Sequence, residues 1–164
     1  MPIYNRFSTV QRPGATSQPF PPGLRITGPI VSVQIEVPQA LATQLQRSGQ
    51  AVPSAVAGLA LVDTGASISA VDITVIQHLG VQPVGIATVG TAGGPQQQAI
   101  FPARLSFPGT QVPSIEFNEL LGANLAGQSV PGIGGNLIAL LGRDLLEHFI
   151  LIYNGPAGMF SLAF

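Results

Sequence analysis

Apolar and polar positions along the chain follow two rhythms, and the shorter one dominates. Residues 30–37, Ile-Val-Ser-Val-Gln-Ile-Glu-Val, alternate strictly, so Val31, Val33, Ile35 and Val37 share one face. That pattern predicts a half-buried strand, ended by Pro38. Residues 55–62 read as the next strand, and 86–91 and 98–107 as the arms of a hairpin around Ala92-Gly93-Gly94-Pro95. A strand is expected over 112–117 and a wholly apolar one over 137–141. Residues 150–153 and 159–164 form a last hairpin around Asn154, Gly155 and Pro156.

The helical rhythm is confined to two short stretches. Ser69-Ala70-Val71-Asp72 has the form of a capping box, opening a helix that runs to Leu79 and stops at Gly80. Residues 142–149 predict a second helix, with Arg143 and Glu147 spaced as an i,i+4 pair. Residues 39–51 are a polar connection with room for a short helical piece, and 118–126 a loop or helical turn. Residues 127–135 are glycine-rich but lack the spacing and lysine of a phosphate loop, and read as a connection. Residues 1–28 are rich in Pro, Gly, Ser, Thr and Gln. Pro13-Gly14 and Pro21-Pro22-Gly23 are expected to break any regular element there, leaving an extended arm or flexible leader. The organisation expected is that arm, 1–28, followed by one all-β domain with two short helices, 29–164.

Composition narrows the partners. Charged residues make up 8% of the chain, about a third of the usual share. So neutral a surface favours a subunit with extensive buried interfaces, the other reading being a monomer covered in Gln, Ser and Thr. All six basic residues are arginines, scattered at 6, 12, 25, 47, 104 and 143. No row of phosphates would be neutralised by them, so nucleic acid is not expected as a partner. The absence of lysine excludes Schiff-base chemistry on a side-chain amine, and the absence of cysteine excludes thiol catalysis and disulfides. His78 and His148 each fall at the end of a predicted helix and form no metal motif with nearby acids, so no metal is expected. There is no Gly-x-Ser-x-Gly elbow. No basic-then-apolar signal pattern appears, and the longest apolar stretch, 51–62, is interrupted by Pro53, Ser54 and Gly58. A soluble, cytoplasmic protein without membrane contact is the expectation.

The candidate chemistry sits at the end of the second strand. Leu59-Ala60-Leu61-Val62 delivers Asp63-Thr64-Gly65 into a turn. A carboxylate there needs hydrogen bonds or a partner to stay charged, because burial disfavours its ionised form. Asp-x-Gly is also ordinary turn chemistry, since Asp bonds its own backbone and Gly accepts positive φ. A second apolar run ending in glycine, Leu137 to Gly142, echoes the first without an Asp-Thr-Gly.

Taken in order, Leu61-Val62-Asp63-Thr64-Gly65-Ala66-Ser67, then Thr91-Ala92-Gly93-Gly94, then Ala139-Leu140-Leu141-Gly142-Arg143-Asp144-Leu145-Leu146 resemble the retropepsin-like aspartic proteases. These are retroviral-type, single-domain enzymes that work as homodimers. The resemblance implies an acid-protease β-barrel with one Asp-Thr-Gly per subunit. It implies an aspartic endopeptidase with one Asp63 from each of two copies as the catalytic pair, needing no cofactor and working best on the acid side. Thr64, Gly65 and Arg143 would support the active site. Gly65, Ala66 and Ser67, with the flap residues Ala92, Gly93 and Gly94, would bind an extended peptide or protein substrate. Retroviral enzymes usually carry an acid where this chain has Ser67, so Arg143 is left with Asp72 or Glu147 as candidate partners. Asp72 is expected as a helix cap and Asp144 as structural. The alternative is a dimerisation or peptide-binding module on the same fold with little or no proteolytic activity.

Overall fold

The computed structural model describes residues 2–10, 16–91, 93–130 and 133–164. Its first elements are β1 (Ile3–Phe7), the short strands β2 (Thr9–Val10) and β3 (Gln18–Pro19), and helix α1 (Pro22–Thr27). The alternating run forms β4 (Ile30–Glu36), followed by α2 (Gln39–Arg47) and β5 (Val56–Val62). Next come β6 (Ala70–Asp72), α3 (Ile73–His78), and the hairpin β7 (Gly85–Thr91) and β8 (Gly94–Ser106). The chain continues through β9 (Ile115–Ala123), β10 (Leu137–Leu141), α4 (Arg143–Leu146), β11 (Ile150–Asn154) and β12 (Met159–Ala163).

Six strands close on themselves in the order β4-β5-β10-β6-β9-β8, because β4 also pairs with β8, and β7 extends the sheet beyond β8. Closure removes the exposed edges that an open sheet would present. The alternation of β4 is realised as expected: Val31, Val33, Ile35 and Val37 are all buried, whereas Ser32 is exposed. They meet Ala60, Val62, Val71, Ala103, Leu105, Leu120 and Leu141 in the barrel core. A smaller cluster, Ile30, Leu59, Val130 and Leu137 with Leu61, Ile133 and Leu140 against it, lies on the other side of β5. A separate three-stranded sheet, β1-β12-β11, joins the two ends of the chain.

The mainly-β expectation holds, but several details differ. The described residues contain four helices rather than two. Pro21-Pro22-Gly23 does not break structure: Pro22 occupies the first turn of α1, where its missing N–H costs nothing and its fixed φ suits a helix. Leu24 on that helix is 1% exposed, so the segment is anchored in the core. Ser69 is not a helix cap. Residues 70–72 are a strand buried on every side, and the cap is Asp72. The span 118–126 is mostly strand, because β9 runs on to Ala123, its pairing with β8 shifting register at Asn118 and Glu119 and resuming at Leu120. Pro95 is not in the hairpin tip but in β8, paired with Gly90, while Thr91 pairs with Gly94. Pro13-Gly14, Ala92 and Pro131-Gly132 within the glycine-rich connection lie outside the described residues.

Candidate active site

Two neighbouring parallel strands build the site. β5 and β10 run side by side with Leu141 opposite Val62, so both chains leave the sheet at the same level. Asp63 follows at once, its N–H donating to Leu141 O at 2.9 Å. Alternation sends Ala60 and Val62 into the core and Leu59 and Leu61 to the other face, the one on which Asp63 continues. The carboxylate is half-buried rather than enclosed, and its Oδ1 accepts the Gly65 N–H at 2.9 Å. It has no ion-pair partner among the described residues. Gly65 does not adopt positive φ. Its lack of a side chain matters for another reason: a Cβ there would stand 3.1 Å from Asp63 Oδ1 and crowd the carboxylate.

Arg143 reaches this turn from α4. Its Nη1 donates to Thr64 O at 2.8 Å and to Gly65 O at 3.2 Å. Neither Asp72 nor Glu147 is its partner; Glu147 lies instead 3.6 Å from His148 Nε2. Main-chain N–H groups of α4 take the next two carbonyls, Arg143 N bonding Ala66 O and Asp144 N bonding Ser67 O. The carbonyls of residues 64–67 therefore each hold one bond already, while the Ser67 N–H and the exposed Thr64 hydroxyl have no partner within the described residues.

Beneath the turn the two segments touch. Gly142 N donates to Ser69 Oγ at 2.9 Å, and Ser69 Oγ donates to Asp144 Oδ1 at 2.6 Å. Asp144 Oδ2 accepts the Ser69 N–H at 2.9 Å, so this acid is structural, tying the two crossings together.

Asp72 has a similar duty one strand away. It is 2% exposed. Its carboxylate accepts the Thr74 hydroxyl, the Thr74 N–H at 2.8 Å and the Leu125 N–H at 2.8 Å. Burial opposes the charge, but the bonds from Thr74, Leu125 and Val75 outweigh it and hold the pKa below the ordinary 3.8. A folded pKa below the unfolded one means the contribution is complete above the unfolded value and is lost as pH falls toward the folded one. In Asp72→Asn an amide N–H would face the Leu125 N–H, leaving a buried donor unmatched at a cost of about 2 kcal/mol. Urea unfolding at pH 7 and pH 3 should show that gap between wild type and variant narrowing in acid. A constant gap would mean Asp72 does not ionise in the folded protein.

The remaining expected site residues lie elsewhere. Gly93 lies in the turn between β7 and β8 and Gly94 opens β8 opposite Thr91, with Ala92 outside the described residues. A cavity of about 310 Å³ is not lined by Asp63; it lies between β1, α1 and Ile133. Among the described residues no group of three or more His, Cys, Asp or Glu could hold a metal ion, and no helix is long and apolar enough to cross a membrane. The backbone clamp by Arg143 and the unpartnered Ser67 N–H were not foreseen, because sequence carries no mark of which carbonyls a guanidinium will meet.

No family model matches the sequence, and no curated protein matches it. Among solved structures, the chain is similar to the protease of simian foamy virus (mac), with 16% identity over 73% of this chain and 92% of the other and a TM-score of 0.42. So slight a likeness carries no chemistry from one protein to the other.

Proposed function

We propose that the protein is a homodimeric aspartic endopeptidase of retropepsin type, hydrolysing peptide bonds with water activated between two Asp63 carboxylates. The observation that carries the reading is Asp63 itself. It stands half-exposed at the end of a core strand, bonded by Gly65, with its turn clamped by Arg143 and no ion pair among the described residues to neutralise it. Two carboxylates about 3 Å apart cannot both ionise, so the pair keeps one proton. The ionised acid takes a proton from water, which attacks the scissile carbonyl, and the protonated acid donates to the carbonyl oxygen. One Asp-Thr-Gly per chain requires the second acid from a second copy on a twofold axis. The Thr64 hydroxyl is free to bond across that axis. Ser67 N–H supplies a donor for an extended substrate, and the β7–β8 hairpin, through Gly93 and Gly94, closes over it.

The terminal sheet supplies a surface for self-association. Ile3 and Ile150 flank Ala163 in one row, and Ile152 lies opposite Ser161 in the next. Ile3 is 58% exposed, and Phe7, Ile150 and Ile152 are each 53% exposed. Among the described residues β1 and β11 are both open edges of the sheet, and an apolar face between open edges favours a partner.

The test is cleavage of a mixed peptide library between pH 3 and 8 over a range of protein concentrations. At low concentration the rate is expected to rise with the square of protein concentration. Ile152→Glu should lower the rate at least about tenfold there, as an apolar interface residue becomes charged, and shift the sedimentation profile toward monomer. A rate linear in protein down to the lowest concentration would overturn the dimeric mechanism. A dimer that binds peptides without cleaving any would make it the non-catalytic peptide-binding module.

A further inference from the structure

The cavity of about 310 Å³ beside β1 and α1 belongs to none of the chemistry above. Its walls mix the apolar side chains of Phe20, Ile26, Ile30, Ile133 and Phe160 with polar groups, and Arg6 stands among them. Arg6 is half-buried on β1, opposite Phe160 on β12. Among the described residues its guanidinium has no ion pair, although all seven acids of the chain lie within them. The hydroxyls of Thr9 and Ser17 also line the cavity, with no partner in the described residues.

A guanidinium beside apolar walls and without a counter-charge is an incomplete arrangement. It presents a planar fork of donors suited to a carboxylate, and no acid among the described residues occupies it. We propose that this cavity binds a monocarboxylate bearing an apolar tail, the carboxylate on Arg6 and the tail against Phe20, Ile26 and Ile133. A single cation with a few hydroxyls matches one negative charge. A phosphate would bring more charge than the site neutralises, at a desolvation cost the apolar walls do not offset. The volume is at the small end of ligand sites, at roughly 300 Å³, which suits a compact amphiphile. Two sources share this chemistry: a free medium-chain acid, and the C-terminal residue of a peptide.

Calorimetric titration of the full chain with sodium octanoate and octan-1-ol tests the proposal. Octanoate is expected to bind saturably with one site per chain, and octanol at least about tenfold more weakly, for want of the charge-assisted bond. Arg6→Gln should weaken octanoate by a similar factor and leave octanol unchanged. Equal binding of the two probes, full octanoate affinity in Arg6→Gln, or no saturable binding would overturn it. Should the variant fail to fold, the comparison of probes on the unaltered chain decides. N-acetyl-leucyl-phenylalanine set against its C-terminal amide then identifies the source. A preference for the peptide acid supports the carboxylate site and assigns a peptide C-terminus. Octanoate binding without it supports the site and assigns the free acid.

Discussion

Asp63→Asn is expected to abolish peptide cleavage while leaving the fold and the dimer in place. In a homodimer the substitution removes the acid and the base together, and the loss in kcat should be about ten-thousand-fold. The fold should survive because the amide oxygen of Asn can still accept the Gly65 N–H that Asp63 Oδ1 accepts at 2.9 Å. The backbone bond from residue 63 to Leu141 O does not involve the side chain. The measurement is single-turnover cleavage of the best library peptide, with circular dichroism and sedimentation on the same samples. Retained cleavage in a folded, dimeric Asp63→Asn protein would sink the aspartic-protease reading outright. Loss of cleavage with loss of fold would mean the carboxylate is structural, and the proposal would lose its main support.

The second large effect concerns stability. A Cβ at Gly142 would lie 2.7 Å from Ile68 C and 2.9 Å from both Ile68 O and Ser69 N. Those are main-chain atoms at the crossing that Ser69 and Asp144 tie together, so no side chain can swing aside to make room. Gly142→Ala is expected to cost about 3 kcal/mol or more, the upper range for overpacking. For a domain of this size that lowers Tm by roughly 10 °C. Gly90→Ala is the control: nothing lies within 4 Å of its Cβ position and its φ is not positive, so its Tm should barely move. A Gly142→Ala protein as stable as that control would show that the two crossings separate readily.

Legibility in the sequence followed the physics of each element. β4 was readable because one face is buried and the other wet, which writes a period of two into Val31, Val33, Ile35 and Val37. The turn at Asp63 was readable because an acid after four apolar residues is conspicuous in a chain with so few charges. β9 was cut short because Asn118 and Glu119 break the apolar pattern; they fall at an irregularity in the pairing with β8, which resumes at Leu120 and carries the strand on. Asp72 caps α3 as expected, but the start of the helix was set too early at Ser69, because Ser69 and Asp72 both suit a capping role and only tertiary contacts decide. Ser69 is drawn to Asp144, far along the chain, which leaves Asp72 to cap α3. The order in residues 2–10 and 16–28 was invisible because it depends on partners elsewhere: β1 on β12, and α1 on a single buried leucine.

The pairing of β1 with β12 also sets an order of events in time. Ser161 bonds Asn5 across 156 positions of chain, and the register runs Ile3 to Ala163 through Phe7 to Met159. Loops of that length close late, since the entropy of bringing their ends together is met before any contact rewards it. During synthesis β1 must wait, unpaired, until β12 has emerged. The barrel strands β4 to β10 can pair before then. The apolar face formed by Ile3, Phe7, Ile150 and Ile152 is thus completed only when the last hairpin is in place. A nascent chain would hold Asp63 on a formed barrel yet lack the face proposed to meet a second copy, so the proposed protease would stay inactive until its own synthesis had passed β12.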